Sequence, residues 1–351
     1  MSKILRKLSY LAFPECSRQA LQYLTTCVTS ANAHDVSIPG LDGADHAAEV
    51  CHEYILFNSG GRRGGIQKLN SIQELNLLEM ISTCLDQAPQ SSRYRIFVII
   101  FGGSPDPQKI NLFTKLVSMA LSLSVGSVLD CAALWMQEHG CHSKAVCDLS
   151  HKLVEDYCIL FTDVSKTFQK LPTVSALFTC NFITAVTSIY PFNGNIFQRP
   201  PPLGLLQYIT NWISSDPCLC FESVRLIRIQ ANFSCPLSGL VQWCILGHLV
   251  MESRHSSSSN FSDSDRSKTI DILSKLHFGV LQSLQAYRSM ELNQELFTMS
   301  QFVSLSQTLM QIVEKEEFQN KDSLNMLVER IGQMIQVAIL TKSLKVNGKF
   351  L

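Results

Sequence analysis

Charge is the scarcest ingredient of this sequence. Asp, Glu, Lys and Arg make up 17% of its 351 residues, against about 25% in an average soluble domain. Neither sign prevails, because 29 basic residues balance 29 acidic ones for a formal charge of +0. Proteins dedicated to nucleic acid carry a basic excess, since neutralising phosphates supplies most of their affinity. The balance argues against direct nucleic-acid contact over a large footprint and leaves only a local basic patch open. Long apolar runs are missing too. The unbroken run from Ile96 to Phe101 is far short of the roughly 18 residues of a membrane span, which predicts a soluble protein with no membrane partner. The N-terminal MSKILRKLSYLAF is basic and amphipathic, faintly like a mitochondrial presequence. It lacks the uninterrupted apolar core of a secretory signal and reads as an ordinary first helix.

Catalytic signatures are also absent. There is no Gly-x-Ser-x-Gly elbow, His-Glu-x-x-His helix or kinase signature. The loop Gly60–Gly65, GGRRGG, lacks the Lys-Ser/Thr ending and the preceding strand of a phosphate cradle. Its two arginines could touch RNA, but the charge balance favours a solvated loop. Glu155 and Asp156 are adjacent in a helical segment. Neighbouring helical positions diverge by about 100°, so the two do not share a face as an acid/base pair would. They read as exposed charges or as salt-bridge partners. The chain is expected not to be an enzyme, and no residue is assigned to catalysis, a cofactor or a metal.

Apolar residues make up 46% of the chain, and mean hydropathy is +0.12. A low charge density leaves more apolar surface to cover, either by a larger core or by partner subunits. The 13 cysteines are scattered. Cys131, Cys158, Cys180 and Cys244 lie inside apolar periodic segments, as small buried hydrophobes do. That usage fits a reducing compartment, cytosol or nucleus. Two groups nonetheless have the residue types of a metal site. In His139, Cys141, His142, Cys147 and His151, the last pair is spaced i, i+4 on one helix face, and four such groups suffice for tetrahedral zinc. The spacing matches no standard zinc module. Cys218, Cys220, Cys235, Cys244 and His248 form the second group, where the one-residue gap between Cys218 and Cys220 is poor chelate geometry. A structural role is favoured for both.

The helical period runs through almost the whole chain. Ser71-Ile-Gln-Glu74 reads as a capping box opening an apolar stripe at Ile72, Leu75, Leu78 and Leu85. Asp106-Pro107 reads as an N-cap followed by first-turn proline, ahead of Ile110, Phe113, Leu116, Val117 and Ala120. Val128–Met136 ends near Gly140. Val146, Leu149, Leu153, Val154 and Tyr157 share one face. Pro172 starts a helix carrying Leu177, Phe178, Phe182 and Val186. Leu203–Ile213 is stopped by Asp216-Pro217. Later helices are predicted over Pro236–Met251, Lys268–Arg288, Glu291–Val313 and Lys321–Leu344. Arg95–Phe101 is rich in β-branched and aromatic residues, but an isolated strand has no partner, so a buried short helix is expected. Trp135, Trp212 and Trp243, flanked by apolar residues, read as core.

Residues 191–202, with Asn193-Gly194 and three successive prolines, cannot be helical. They are the expected linker between an N-terminal helical array, 1–190, and a C-terminal one, 203–351. Residues 253–267 are Ser-rich and charged and read as a flexible insert. Within it, Ser262 and Ser264 are candidate phosphorylation sites, Ser262 with an acid three residues on. Phosphate there would add up to about two negative charges able to dock on arginines. The fold class is all-α, expected as an elongated stack of helical hairpins, a HEAT/armadillo-like α-solenoid.

Several strings recur in order along these helices: KLNSIQELNLLEM (68–80), KLVSMALSL (115–123), VLDCAALWMQ (128–137), LVEDYC (153–158), FITAVTSIY (182–190), LLQYITNWISSDP (205–217), LVQWC (240–244), SKLHFGVLQSL (274–284) and LVERIGQMIQVAI (327–339). None is a chemical motif. As an ordered set from about Lys68 onward they resemble the family of Integrator complex subunit fifteen. The resemblance implies a nuclear, all-helical, non-catalytic subunit of the Integrator. That assembly binds RNA polymerase II, cleaves nascent transcripts and processes small nuclear RNA 3′ ends, with endonuclease and phosphatase activities in other subunits. It also implies the tenth, thirteenth and fourteenth subunits, the arm module, as partners. Larger members of the family continue into a Pro-rich tail, whereas this sequence stops at Leu351. The Gly60–Gly65 loop and the Ser-rich insert match none of these strings.

Overall fold

The structure, a computed structural model, describes residues 3–8, 10–33, 54–55, 58–59, 66–67, 69–102, 107–160, 165–191, 200–226, 235–253, 263–290, 296–315 and 321–344. They group into two compact units, Met1–Glu138 and His139–Leu351. Apart from one two-residue hairpin, the described elements are helical. No helix is long and apolar enough to cross a membrane among the described residues.

The first unit contains α1 (Lys3–Leu8), α2 (Glu15–Ala33), β1 (Asn58–Ser59), β2 (Ile66–Gln67), α3 (Ser71–Gln87), α4 (Gln90–Phe101), α5 (Pro107–Leu123) and α6, which runs from Gly126 to His139 at the unit boundary. Asn58 stands opposite Gln67 and Ser59 opposite Ile66 in the antiparallel hairpin, a pairing the sequence reading did not anticipate. The glycine-rich loop between these strands lies outside the described residues, as does Asp106. Helix α5 does begin at Pro107, as expected.

Two local expectations shift. The N-cap of α3 is Asn70, one residue earlier than predicted. Its Oδ1 accepts from the Gln73 N–H at 2.9 Å, and Gln73 Oε1 accepts from the Asn70 N–H at 3.0 Å. This is the same reciprocal box with a different pair of residues. The buried face of α3 is Leu77, Leu78, Ile81 and Leu85, while Ile72 is 81% and Leu75 60% exposed. By contrast, Arg95–Phe101 is helical as expected, with Ile96, Phe97, Ile100 and Phe101 buried. Its spacing of i, i+1, i+4 and i+5 is a helix face. A ring chain ties α4, α5 and α6 together: Phe97 meets Phe113 edge-on at 5.3 Å, and Phe113 meets Trp135 at 4.8 Å. Edge-to-face pairs of this kind add about 0.5–1.5 kcal/mol beyond area burial.

The second unit begins with α7 (Lys144–Val154), which continues into a π-helix over Glu155–Leu160. Val146, Leu149, Leu153, Val154 and Tyr157 are all buried, as their spacing predicts. Then come α8 (Ser165–Gln169), α9 (Leu171–Val174), α10 (Ala176–Ile189) and α11 (Leu203–Ser215). A 3-10 turn at Leu219–Phe221 leads to α12 (Glu222–Leu226), α13 (Leu237–Ser253), α14 (Asp263–Ser289), α15 (Met299–Lys315) and α16 (Lys321–Leu340). Helix α14 is the hub, packing on α11, α13 and α16.

The single helix predicted from Pro172 is two. Ser175 is extended, and its Oγ accepts from the Phe178 N–H at 3.3 Å. It caps α10 afresh after the short α9, because an N-cap serine offers the backbone an exit from the preceding turn. The helix predicted from Lys268 starts at Asp263, inside the stretch read as flexible. Asp265 in the first turn favours this, since an acidic residue complements the positive end of a helix. The helix predicted from Glu291 starts at Met299. Leu296 and Phe297 instead donate their N–H groups to the Ser343 carbonyl, at 2.9 and 3.1 Å. The same turn ends α16 at Leu340, short of the predicted Leu344.

The division between the units at Glu138/His139 does not coincide with residues 191–202, which fall inside the second unit. Helix α10, before that stretch, packs on α12 and α13, after it. Residues 192–199 and 254–262 themselves lie outside the described residues.

Trp212 and Trp243 are buried, as expected, and each donates its ring N–H to a carbonyl at 2.9 Å, Gln169 and Tyr190 respectively. Phe168, fully buried, is the centre of the largest ring cluster among the described residues. Tyr157 stacks on it at 5.3 Å, Trp212 lies tilted at 5.3 Å, and Phe182 meets it edge-on at 5.7 Å.

Candidate partner-binding surface

Several of the residues with chemistry that the sequence singles out have partners within the fold. In the first His/Cys group, His142 Nδ1 is hydrogen-bonded to Ser188 Oγ. His151 faces Glu155 Oε1 through Nε2 at 3.5 Å and the Tyr190 hydroxyl through Nδ1 at 3.5 Å. The Cys147 thiol points at the Cys141 carbonyl. Burial pushes the Cys141 thiol up to about 12. In the second group, burial raises Cys220, Cys235 and Cys244 in the same direction. Among the described residues no cysteine is in a disulfide. Nor does any trio of His, Cys, Asp or Glu take up a metal-holding arrangement among them.

Cys180 joins the two groups, which the sequence keeps apart. Its Sγ lies 3.5 Å from the Cys220 carbonyl, which also receives the Cys235 thiol at 3.6 Å. The neighbouring thiols Cys180 and Cys147 raise the Cys141 pKa beyond what burial does. This is a buried thiol seam between α10 and the segment around Cys220, held by weak hydrogen bonds and packing.

Glu155 and Asp156 are salt-bridge partners, one of the two readings their sequence allows. Lys152 Nζ reaches both, Glu155 Oε2 at 3.3 Å and Asp156 Oδ1 at 3.5 Å. They converge on one cation because they stand three and four residues after it, the two spacings that share a helix face. An exposed trio of this kind contributes little to stability. Ser264 is exposed in the first turn of α14, close in sequence to Arg266 and to the Lys268–Asp265 pair at 3.8 Å. Ser262 lies outside the described residues.

The described surface also carries exposed large apolar side chains. Helix α15 buries Phe302, Leu305 and Leu309 and exposes Met299, Val303 and Met310 on another side. A cleft of about 660 Å³ runs beside it, with Phe302, Val303, Met310 and Ile335 on its walls and Glu314 at one end. A second, of about 300 Å³, lies between α13 and α15, lined by Val241, Leu246, Phe297 and Leu305. Methionines suit such a surface, because their unbranched side chains adapt to the shape of what docks on them. Ile72 and Leu75 form a separate exposed apolar pair on the first unit. The helical spacing of Met299, Val303 and Met310 was visible in the sequence, but period alone does not say which of two apolar faces meets the core.

Sequence comparison gives these features a family setting. The family model for Integrator complex subunit 15 matches residues 2–351. The chain is similar to Integrator complex subunit 15 of Danio rerio, 28% identical over 351 residues, covering 93% of this chain and 72% of the relative. It is 31% identical over 326 residues to the Mus musculus protein of that name, covering 85% and 72%. The Drosophila melanogaster protein is 27% identical over 355 residues, covering 93% and 86%.

Proposed function

From the finding that this chain belongs to the Integrator complex subunit 15 family, we propose that it is a non-catalytic scaffold of the Integrator complex. It works by binding other subunits. The observation that carries the reading is the exposed face of α15, with Met299, Val303 and Met310 beside an open cleft. Interfaces draw their energy from a few well-packed apolar and aromatic anchors inside a polar rim. Gln307, Gln311 and Glu314 border this cleft and supply such a rim.

In this proposal the chain acts in the nucleus, and its partners are the arm-module subunits, the tenth, thirteenth and fourteenth. Through them it supports small nuclear RNA 3′-end processing and attenuation of transcription by RNA polymerase II. Its helices form a solenoid-like stack that presents the docking face. Ser262 and Ser264 are proposed phosphorylation sites; Ser264 stands in the first turn of α14, where added negative charge suits the positive end of the helix. The zinc-stabilised alternative has no specific observation in its favour, because among the described residues no trio of His, Cys, Asp or Glu takes up a metal-holding arrangement.

The test is a double replacement, Val303→Asp with Met310→Asp. Both side chains are exposed, so the thermal midpoint of the purified chain should barely move. Recovery of Integrator subunits with the tagged protein should fall. Unchanged recovery with unchanged stability would remove α15 as the docking face.

A further inference from the structure

Arg330 is the one buried position where the fold leaves a charge with only neutral partners among the described residues. It is 8% exposed. On the sequence it sits inside the apolar stripe of α16, three residues after Leu327 and four before Met334, both fully buried. Its Nη2 donates to Ser274 Oγ on α14 at 2.8 Å, and its Nη1 donates to the Cys244 carbonyl on α13 at 3.4 Å. No described carboxylate lies in ion-pair reach. One turn further on, Gln333 Oε1 is 3.1 Å from His277 Nε2. The two contacts advance together, 330 with 274 and 333 with 277, so α14 and α16 run in the same direction at this crossing. Burial holds His277 neutral by lowering its pKa, and Arg330 lowers it further. The local charge is therefore the single positive charge of the guanidinium.

A guanidinium withdrawn from most of its water, with only a hydroxyl and a helix carbonyl as protein partners, is an incomplete arrangement. Such a group stays buried at a large desolvation cost unless a charged partner joins it. Two of its N–H groups are used, out of five in a fixed fork. That fork matches a carboxylate, which takes two parallel N–H···O bonds. One positive charge balances one carboxylate, whereas a phosphate dianion would leave charge uncompensated.

The geometry points to Arg330 as the receiving site for a single carboxylate, from an Asp or Glu of a protein partner, in the seam between α13, α14 and α16. This rests on the scaffold reading, because the carboxylate is supplied by a bound subunit. It adds a charge-specific anchor to the apolar face of α15. The neighbouring Ser274 and Cys244 position the fork.

The experiment has two arms on the full chain. In the first, thermal midpoints of the wild type and of Arg330→Met are measured in sodium chloride, sodium formate and sodium phosphate at equal ionic strength. Formate should raise the wild-type midpoint above its value in chloride, by mass action on the folded state. It should leave Arg330→Met unchanged. Arg330→Met should itself be as stable as the wild type or more so in chloride, since an apolar side chain of similar length replaces an unpaired charge. A clear loss of stability in Arg330→Met would make the residue an internal strut and overturn the proposal. A larger effect of phosphate than of formate would overturn the carboxylate assignment.

In the second arm, recovery of Integrator subunits is compared for wild type, Arg330→Met and Arg330→Lys. Losing a charge-paired anchor should weaken partner binding by at least about tenfold. Arg330→Lys, which keeps the charge but not the fork, should recover only part of it. Equal recovery with wild type and Arg330→Met would overturn the site while leaving the scaffold reading intact. No recovery even with wild type would sink the scaffold reading, and the formate arm would then still decide whether the carboxylate site exists.

Discussion

Gly239 of α13 packs directly on Thr187 of α10, so closely that a Cβ at position 239 would fall well inside contact distance of the threonine Cβ and Oγ1. The helices meet where one of them has no side chain. Gly239→Ala should therefore destabilise the chain, by about 1–3 kcal/mol of overpacking less the modest gain of about 1 kcal/mol in helix propensity. Gly332→Ala is the control. It is an exposed site on α16 with nothing within 4 Å of a new Cβ, and it should stabilise by about 0.5–1 kcal/mol. Urea denaturation of the two variants checks the pair, and a Gly239→Ala variant as stable as wild type would contradict the close approach.

Phe168 anchors the ring cluster of the second unit, with Tyr157, Phe182 and Trp212 around it. Phe168→Ala should cost about 3–5 kcal/mol. Lost tryptophan burial should appear as a red-shifted emission at lower urea, because Trp212 loses its neighbour.

Stability should fall on mild acidification through His277. Its folded pKa is lowered by burial, so the neutral form is favoured in the native state. The contribution is fully present above the unfolded value of about 6.5. It is lost as pH falls through that value towards the lower folded one, because the unfolded chain then binds the extra proton. His277→Gln, which keeps a polar group next to Gln333, should flatten this part of the pH–stability curve. An unchanged slope in the variant would assign the effect to another group.

Cutting the chain within residues 192–199, at an introduced protease site, should leave the fragments associated. Helix α10 on one side of the cut packs on α12 and α13 on the other. Co-elution of the fragments on gel filtration checks this. Their separation would restore residues 191–202 as a boundary between independent arrays.

The helical class and most helix positions were legible because a period of 3.6 residues needs only local sequence. The face that packs was less so. Ile72 and Leu75 share the period of α3 with its buried residues, yet they point outward, since period ranks faces without naming the neighbour. Caps were legible only to within a residue, because Asn70 and Ser71 are both good caps with an acceptable partner three residues on. The thiol seam was invisible, because Cys180 meets Cys220 across 40 positions. Arg330 did leave a signal. A charged residue at i+3 from Leu327 and i−4 from Met334 lies on an apolar stripe, and such a position calls for a partner.

The central claim is that the chain is a stoichiometric scaffold subunit of the Integrator, and its most direct test is purification of the tagged endogenous protein from nuclear extract at moderate salt. Mass spectrometry should find Integrator subunits in near-equal amounts to the tagged chain, led by the tenth, thirteenth and fourteenth. Recovery of the chain alone, or with unrelated proteins, would contradict the account.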